Sequence, residues 1–103
     1  MNQQLLMNFA EAIQHKQIVR LTFRTKDNRT LMRRCAPLDL APSLRANNKH
    51  YKFHFWDYDS VPKPHLLSIS PEQIIGLEIM QEHFDPKQVV TWNARWTIAR
   101  DWF

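Results

Sequence analysis

Apolar residues along this chain fall into two rhythms. Leu5, Leu6, Phe9, Ala12 and Ile13 recur every three or four positions, while Gln3, Gln4, Asn8, Glu11 and Gln14 occupy the opposite side. That spacing predicts one amphipathic helix of about three turns over residues 2–15, with Asn2 as its cap. The period then changes to two. In IVRLTFR (18–24), Val19, Leu21 and Phe23 share one face and Arg20, Thr22 and Arg24 the other, the alternation of a half-buried strand. The turn residues TKDN (25–28) lead into a second strand, TLMRRCAPL (30–38), which Pro37 should end or place at a sheet edge. After it, DLAPSLRANN (39–48) reads as a loop, HYKFHFW (50–56) as a third strand, and DYDSVPKP (57–64) as a turn. HLLSIS (65–70) and IIGLEIM (74–80) complete the set of five strands. The predicted class is α+β, mainly β: an N-terminal helix followed by a small, strongly bent sheet or barrel, closure being one way to remove exposed edges.

Composition narrows the chemistry. The chain has 103 residues, enough for a single compact core. One glycine excludes a glycine-rich phosphate loop, so no cofactor of that kind is expected. No run of about 18 apolar residues could span a bilayer, and no basic segment precedes the first apolar residues. The single cysteine, Cys35, cannot form an internal disulfide, and a reducing cytoplasm is the expected compartment.

Charge is distributed unevenly. Residues 15–54 carry ten Lys and Arg against two acids, Asp27 and Asp39; residues 55–103 carry four against seven. Such a basic block suggests a face suited to polyanions. The stretch HYKFHFWDYD (50–59) holds five aromatic residues and two histidines four apart. On a strand, Tyr51, Phe53 and Phe55 fall on a core face, with the Tyr51 hydroxyl at the rim. His50, Lys52, His54 and Trp56 fall on the other, a cationic and aromatic mixture suited to stacking on bases. On that strand the two histidines stand about 13 Å apart, too far to share a zinc ion, so no metal is expected. Arg33 and Arg34 flank Cys35 and could lower its pKa, but no His–acid partner is visible and a small buried cysteine is the simpler reading. Nothing here predicts an enzyme.

The order of these features resembles the WYL domain, a small SH3/Sm-like β-barrel module of bacterial regulators. The residues that carry the resemblance are Ala12-Ile13 followed by IVRLTF, then RRCAPLDL (33–40) with Arg34, Pro37 and Leu38 in register. His50-Tyr51-Lys52 stands at the motif itself, and HLLSISPEQIIGLEIMQEHFDP (65–86) ends with Phe84 before a proline. The resemblance covers roughly residues 5–86, dividing the chain into a WYL-like domain (1–86; helix 2–15, barrel 18–84) and a tryptophan-rich extension (87–103). It implies a regulatory module that binds nucleic acid or a nucleotide-like ligand in a basic groove, normally beside a DNA-reading helix-turn-helix. This chain departs in three ways. Its first helix opens at the start, so a stand-alone module without that reading domain is expected. Only the tyrosine of the motif is kept, and Ser68 stands where an arginine is expected.

The extension VVTWNARWTIARDWF (89–103) holds three of the four tryptophans. As a helix opened by Asp85-Pro86, or as an extended segment, its rings could cover an open side of the domain; left exposed they would mark a partner surface. The leading expectation is therefore a non-enzymatic regulatory module binding single-stranded nucleic acid or a nucleotide-like ligand. Arg20, Arg24, Arg33, Arg34, Lys49, Tyr51, Lys52 and Trp56 would form its ligand surface. The alternative is a protein-interaction or oligomerisation module, a homodimer or a contact for a partner regulator, using Trp92, Trp96, Trp102 and Phe103.

Overall fold

The computed structural model describes residues 2–42 and 50–103. A helix, α1 (Gln3–His15), is followed by strands β1 (Gln17–Arg24), β2 (Thr30–Pro42), β3 (Tyr51–Asp57), β4 (His65–Ile69) and β5 (Ile74–His83). A single 3-10 turn at Pro71–Gln73 joins β4 to β5, and a one-turn helix, α2 (Pro86–Val89), follows β5. The class is α+β, mainly β, as the two apolar rhythms predict.

α1 begins where its cap is. The Asn2 side chain accepts from the backbone N–H groups of Gln4 and Leu5, and the helix ends at Lys16, in left-handed conformation, whose N–H returns to Ala12 and Ile13. The strands form one antiparallel sheet in the order β4-β3-β2-β1-β5. β4 and β5 are its two edges and do not pair, so the sheet is open and not closed into a barrel. α1 lies against the face that closure would enclose. Phe9 packs edge-on against Phe53 and Phe55, with ring centroids 4.8 and 5.4 Å apart. Val19, Leu21, Cys35 and Ile69 complete that core.

Two expectations need correction. The segment from Asp39 is not loop: β2 continues through Pro37 to Pro42, and it is a central strand between β1 and β3. A proline is tolerated there because the register with β3 shifts between Pro37 and Asp39, and at such a bulge the missing N–H leaves no rung of the ladder empty. Tyr51, assigned to the core face with Phe53 and Phe55, is 49% exposed at the end of β3 while both phenylalanines are fully buried.

The opposite face of the sheet has its own apolar cluster. Ile18, Ala36 and Leu38 pack there with Phe84, Val89 and Val90, and Trp56 joins them. Residues 90–103 hold neither helix nor strand. They run across this side and reach back to α1, where the Trp102 indole N–H donates to the Ile13 carbonyl at 3.0 Å.

Candidate functional site

The basic and acidic halves of the chain meet in the sheet. β1 and β2 supply the arginines, and β5, on the other side of β1, supplies glutamates. Arg20 stands opposite Arg34 on one side and Glu78 on the other. It pairs with Glu78 at 3.3 Å, while the Arg34 guanidinium donates to both Glu82 oxygens at 2.9 Å and lies 4.9 Å from the Tyr58 ring. The Glu82 carboxylate holds the Arg34 pKa above its ordinary value, against the opposing effect of burial. Arg33 turns to the α1 side, opposite Leu21, where it donates to the Asp59 carbonyl at 2.7 Å and lies 3.9 Å from buried Asp57. Three of the ten Lys and Arg in the basic block, Arg20, Arg33 and Arg34, are thus paired with acids on other strands.

The remaining expected ligand residues are not gathered in one place. Arg24 lies at the β1–β2 turn, donating to the Asn28 side chain at 3.0 Å. Tyr51 and Lys52 lie at the far end of β2, opposite Pro42 and Ala41. Lys52 has no ion pair among the described residues. Lys49 lies outside the described residues. Trp56 is half-buried in the second apolar cluster.

His54 sits between Lys52 and Trp56 on the same face, with both ring nitrogens engaged. Nε2 faces the Ala41 carbonyl at 2.8 Å and must donate, so in the neutral ring Nδ1 accepts from the Ser68 hydroxyl, also at 2.8 Å. Ser68 is directly opposite His54 in the β3–β4 register. Ser68 thus has a structural role here, holding the His54 ring. Cys35 is fully buried beside Asp57, and burial pushes its thiol pKa far up, away from nucleophilic use.

The strongest polar arrangement lies elsewhere, on residues that the sequence reading did not single out. Asp39, buried in β2, accepts from the Thr97 and Ile98 N–H groups at 2.8 and 2.9 Å and from the Arg100 guanidinium at 3.2 Å. The Arg100 guanidinium lies over both Trp96 and Trp102, 3.8 and 4.4 Å from their ring centroids, and the two rings meet edge-on beside it. Burial pushes its pKa down to about 10, with Asp39 pulling it back up. Its Nη1 has no hydrogen-bond partner among the described residues. The one available signal was Asp39 itself, a lone acid between Leu38 and Leu40. Of the four expected contact residues in the tail, Trp96 and Trp102 are thus turned inward, while Trp92 and Phe103 are exposed.

No helix among the described residues is long and apolar enough to cross a membrane. Compared with protein-family models, with curated proteins and with solved structures, the chain matches none.

Proposed function

We propose that this chain is a non-enzymatic, WYL-like regulatory module. It binds single-stranded nucleic acid or a nucleotide-like ligand at the end of β3 rather than along the arginine row. One observation carries the reading: at the end of β3 Tyr51 presents a half-exposed ring on one face and Lys52, which has no ion pair among the described residues, follows on the other, whereas Arg20, Arg33 and Arg34 are tied to acids. A nucleic-acid strand that crosses this end of the sheet can set a base on the Tyr51 ring and a phosphate against the Lys52 ammonium, and one stacked base is worth about 1–3 kcal/mol. The helix-then-five-strands order fits the resemblance, and the engaged His54–Ser68 pair accounts for the serine that departs from it.

Fluorescence-anisotropy titration of labelled 20-nucleotide single-stranded DNA and RNA at about 50 and 200 mM salt tests this. With about three phosphate contacts, affinity falls about 20-fold between those salts; six contacts would give a several-hundredfold fall. Tyr51→Ala with Lys52→Ala should abolish binding, and Arg20→Ala should leave it nearly unchanged. Absence of binding at the lower salt rejects the reading and returns attention to the tail, where Trp92 and Phe103 are the exposed rings.

A further inference from the structure

The ligand site proposed at the end of β3 has an imidazole beside it. Lys52 and His54 share one face of that strand and stand about 7 Å apart, at about 3.3 Å per residue. The His54 ring is part-exposed and held at both nitrogens, but its two partners differ in what they allow. The Ala41 carbonyl can only accept, so Nε2 keeps its proton and a second proton must go to Nδ1. The Ser68 hydroxyl can accept as well as donate. When Nδ1 is protonated, the hydroxyl turns its own hydrogen to solvent, where Ser68 is exposed, and accepts from the ring instead. The imidazole can therefore become a cation without losing a hydrogen bond or changing place. A backbone N–H in the position of Ser68 would forbid this.

The groups around the ring leave that new charge uncancelled. On β2 its register partner is Asp39, whose carboxylate is taken by Arg100 and two N–H groups of the tail. On β4 it faces uncharged Ser68, with Leu66 next along that face. On its own strand the flanking residues of the same face are Lys52 and Trp56, and His50 lies beyond Lys52. Among the described residues no carboxylate forms an ion pair with His54. Histidine ordinarily changes charge between about pH 8 and pH 5. A separation of about 7 Å is within the Debye length of about 10 Å at 0.1 M salt, so a phosphate on Lys52 feels the charge of the ring.

We propose, resting on that ligand site, that His54 makes phosphate binding there pH-dependent. Proton uptake at Nδ1 places a second positive charge beside Lys52, and an anionic ligand favours the charged ring. The coupling is reciprocal, so acidification strengthens binding.

The test titrates the full chain with an oligothymidylate of 20 nucleotides bearing a pH-insensitive dye, at about pH 8 and about pH 5.5 and at about 50 and 200 mM salt. Neither thymine nor the phosphodiester titrates in this range. At the lower salt, affinity should rise about three- to tenfold on acidification. The fall between the two salts should deepen by about 2.5-fold, the effect of one added contact to a single strand. His54→Gln should bring the affinities at the two pH values within about twofold of each other, while His50→Gln should keep most of the rise. Binding that is flat in pH, or a rise that survives His54→Gln or disappears in His50→Gln, overturns this proposal and leaves the ligand site standing. Absence of binding at both pH values removes the site itself, and the proposal with it. Should His54→Gln unfold by circular dichroism, the salt dependences of the native and His50→Gln chains at the two pH values decide alone.

Discussion

Arg34 and Arg100 each meet a carboxylate and an aromatic ring, and they do so in opposite surroundings. Arg34 lies on Glu82 at 2.9 Å with its side chain 45% exposed; Arg100 lies on Asp39 at 3.2 Å with 1% exposed. In water such a pair competes with hydration and salt and contributes little. Out of water, neither partner can be left alone, because an uncompensated buried charge is costly. Asp39 also accepts two backbone N–H groups from the tail, so that pair determines where the tail lies, whereas the Arg34 pair adjusts charge on a surface already formed by β1, β2 and β5. The comparison locates the structural importance of the charges in the region the sequence suggested least.

The largest expected effect follows directly. Asp39→Ala strands the Arg100 guanidinium and two tail N–H groups together, and should cost about 3–5 kcal/mol in urea unfolding. Arg100→Met leaves the buried Asp39 carboxylate its two backbone N–H donors and keeps an unbranched stem against Trp96 and Trp102, so its cost should be smaller. Equal costs for the two variants would break the comparison, since the asymmetry depends on which partner is left behind.

A smaller effect is expected at Trp102, which joins the tail to α1. Trp102→Phe keeps a ring against Phe84 and Trp96 but loses the bond to the Ile13 carbonyl. That carbonyl still accepts from the Lys16 N–H, so it is not orphaned. The cost should be about 1–2 kcal/mol, from the bond and the lost ring volume. A loss as large as that of Asp39→Ala would place the anchor of the tail at the indole instead.

How much of this was legible beforehand varies by physical cause. α1 and the five strands were readable because periodicity reports burial directly: Phe9, Ala12 and Ile13 at helical spacing, Val19, Leu21 and Phe23 at strand spacing. The extent of β2 was not, because Pro37 signals an edge and only the bulge beside it lets the strand continue. The candidate site was the least legible. A linear tally counts Arg20 and Arg34 as surplus positive charge, but strand order sets Glu78 and Glu82, more than forty residues away, against them. Asp39 and Arg100 were missed for the same reason, since a contact between a strand and an irregular tail leaves no periodic trace.

The smallest expected effect completes the comparison on the exposed side. In a double-mutant cycle, Arg34→Ala with Glu82→Ala should give a coupling of about 0.5 kcal/mol, and below about 1 kcal/mol in any case. It should fade toward zero in about 1 M salt, where exposed charges are screened within about 3 Å. The Asp39–Arg100 coupling, out of solvent, should persist there. The two single variants should also differ in sign of consequence. Glu82→Ala leaves Arg34 facing Arg20 across β1 and β2 with one carboxylate fewer between them, whereas Arg34→Ala relieves that repulsion. Freed from Glu82, Arg34 becomes available to a polyanion, so Glu82→Ala should raise affinity for single-stranded nucleic acid and steepen its salt dependence by about one contact. A steepened slope would mean that the arginine row is latent and held in check by β5. An unchanged slope would confine any ligand to the Tyr51–Lys52 end of β3, where an exposed ring and an ammonium with no ion pair among the described residues lie.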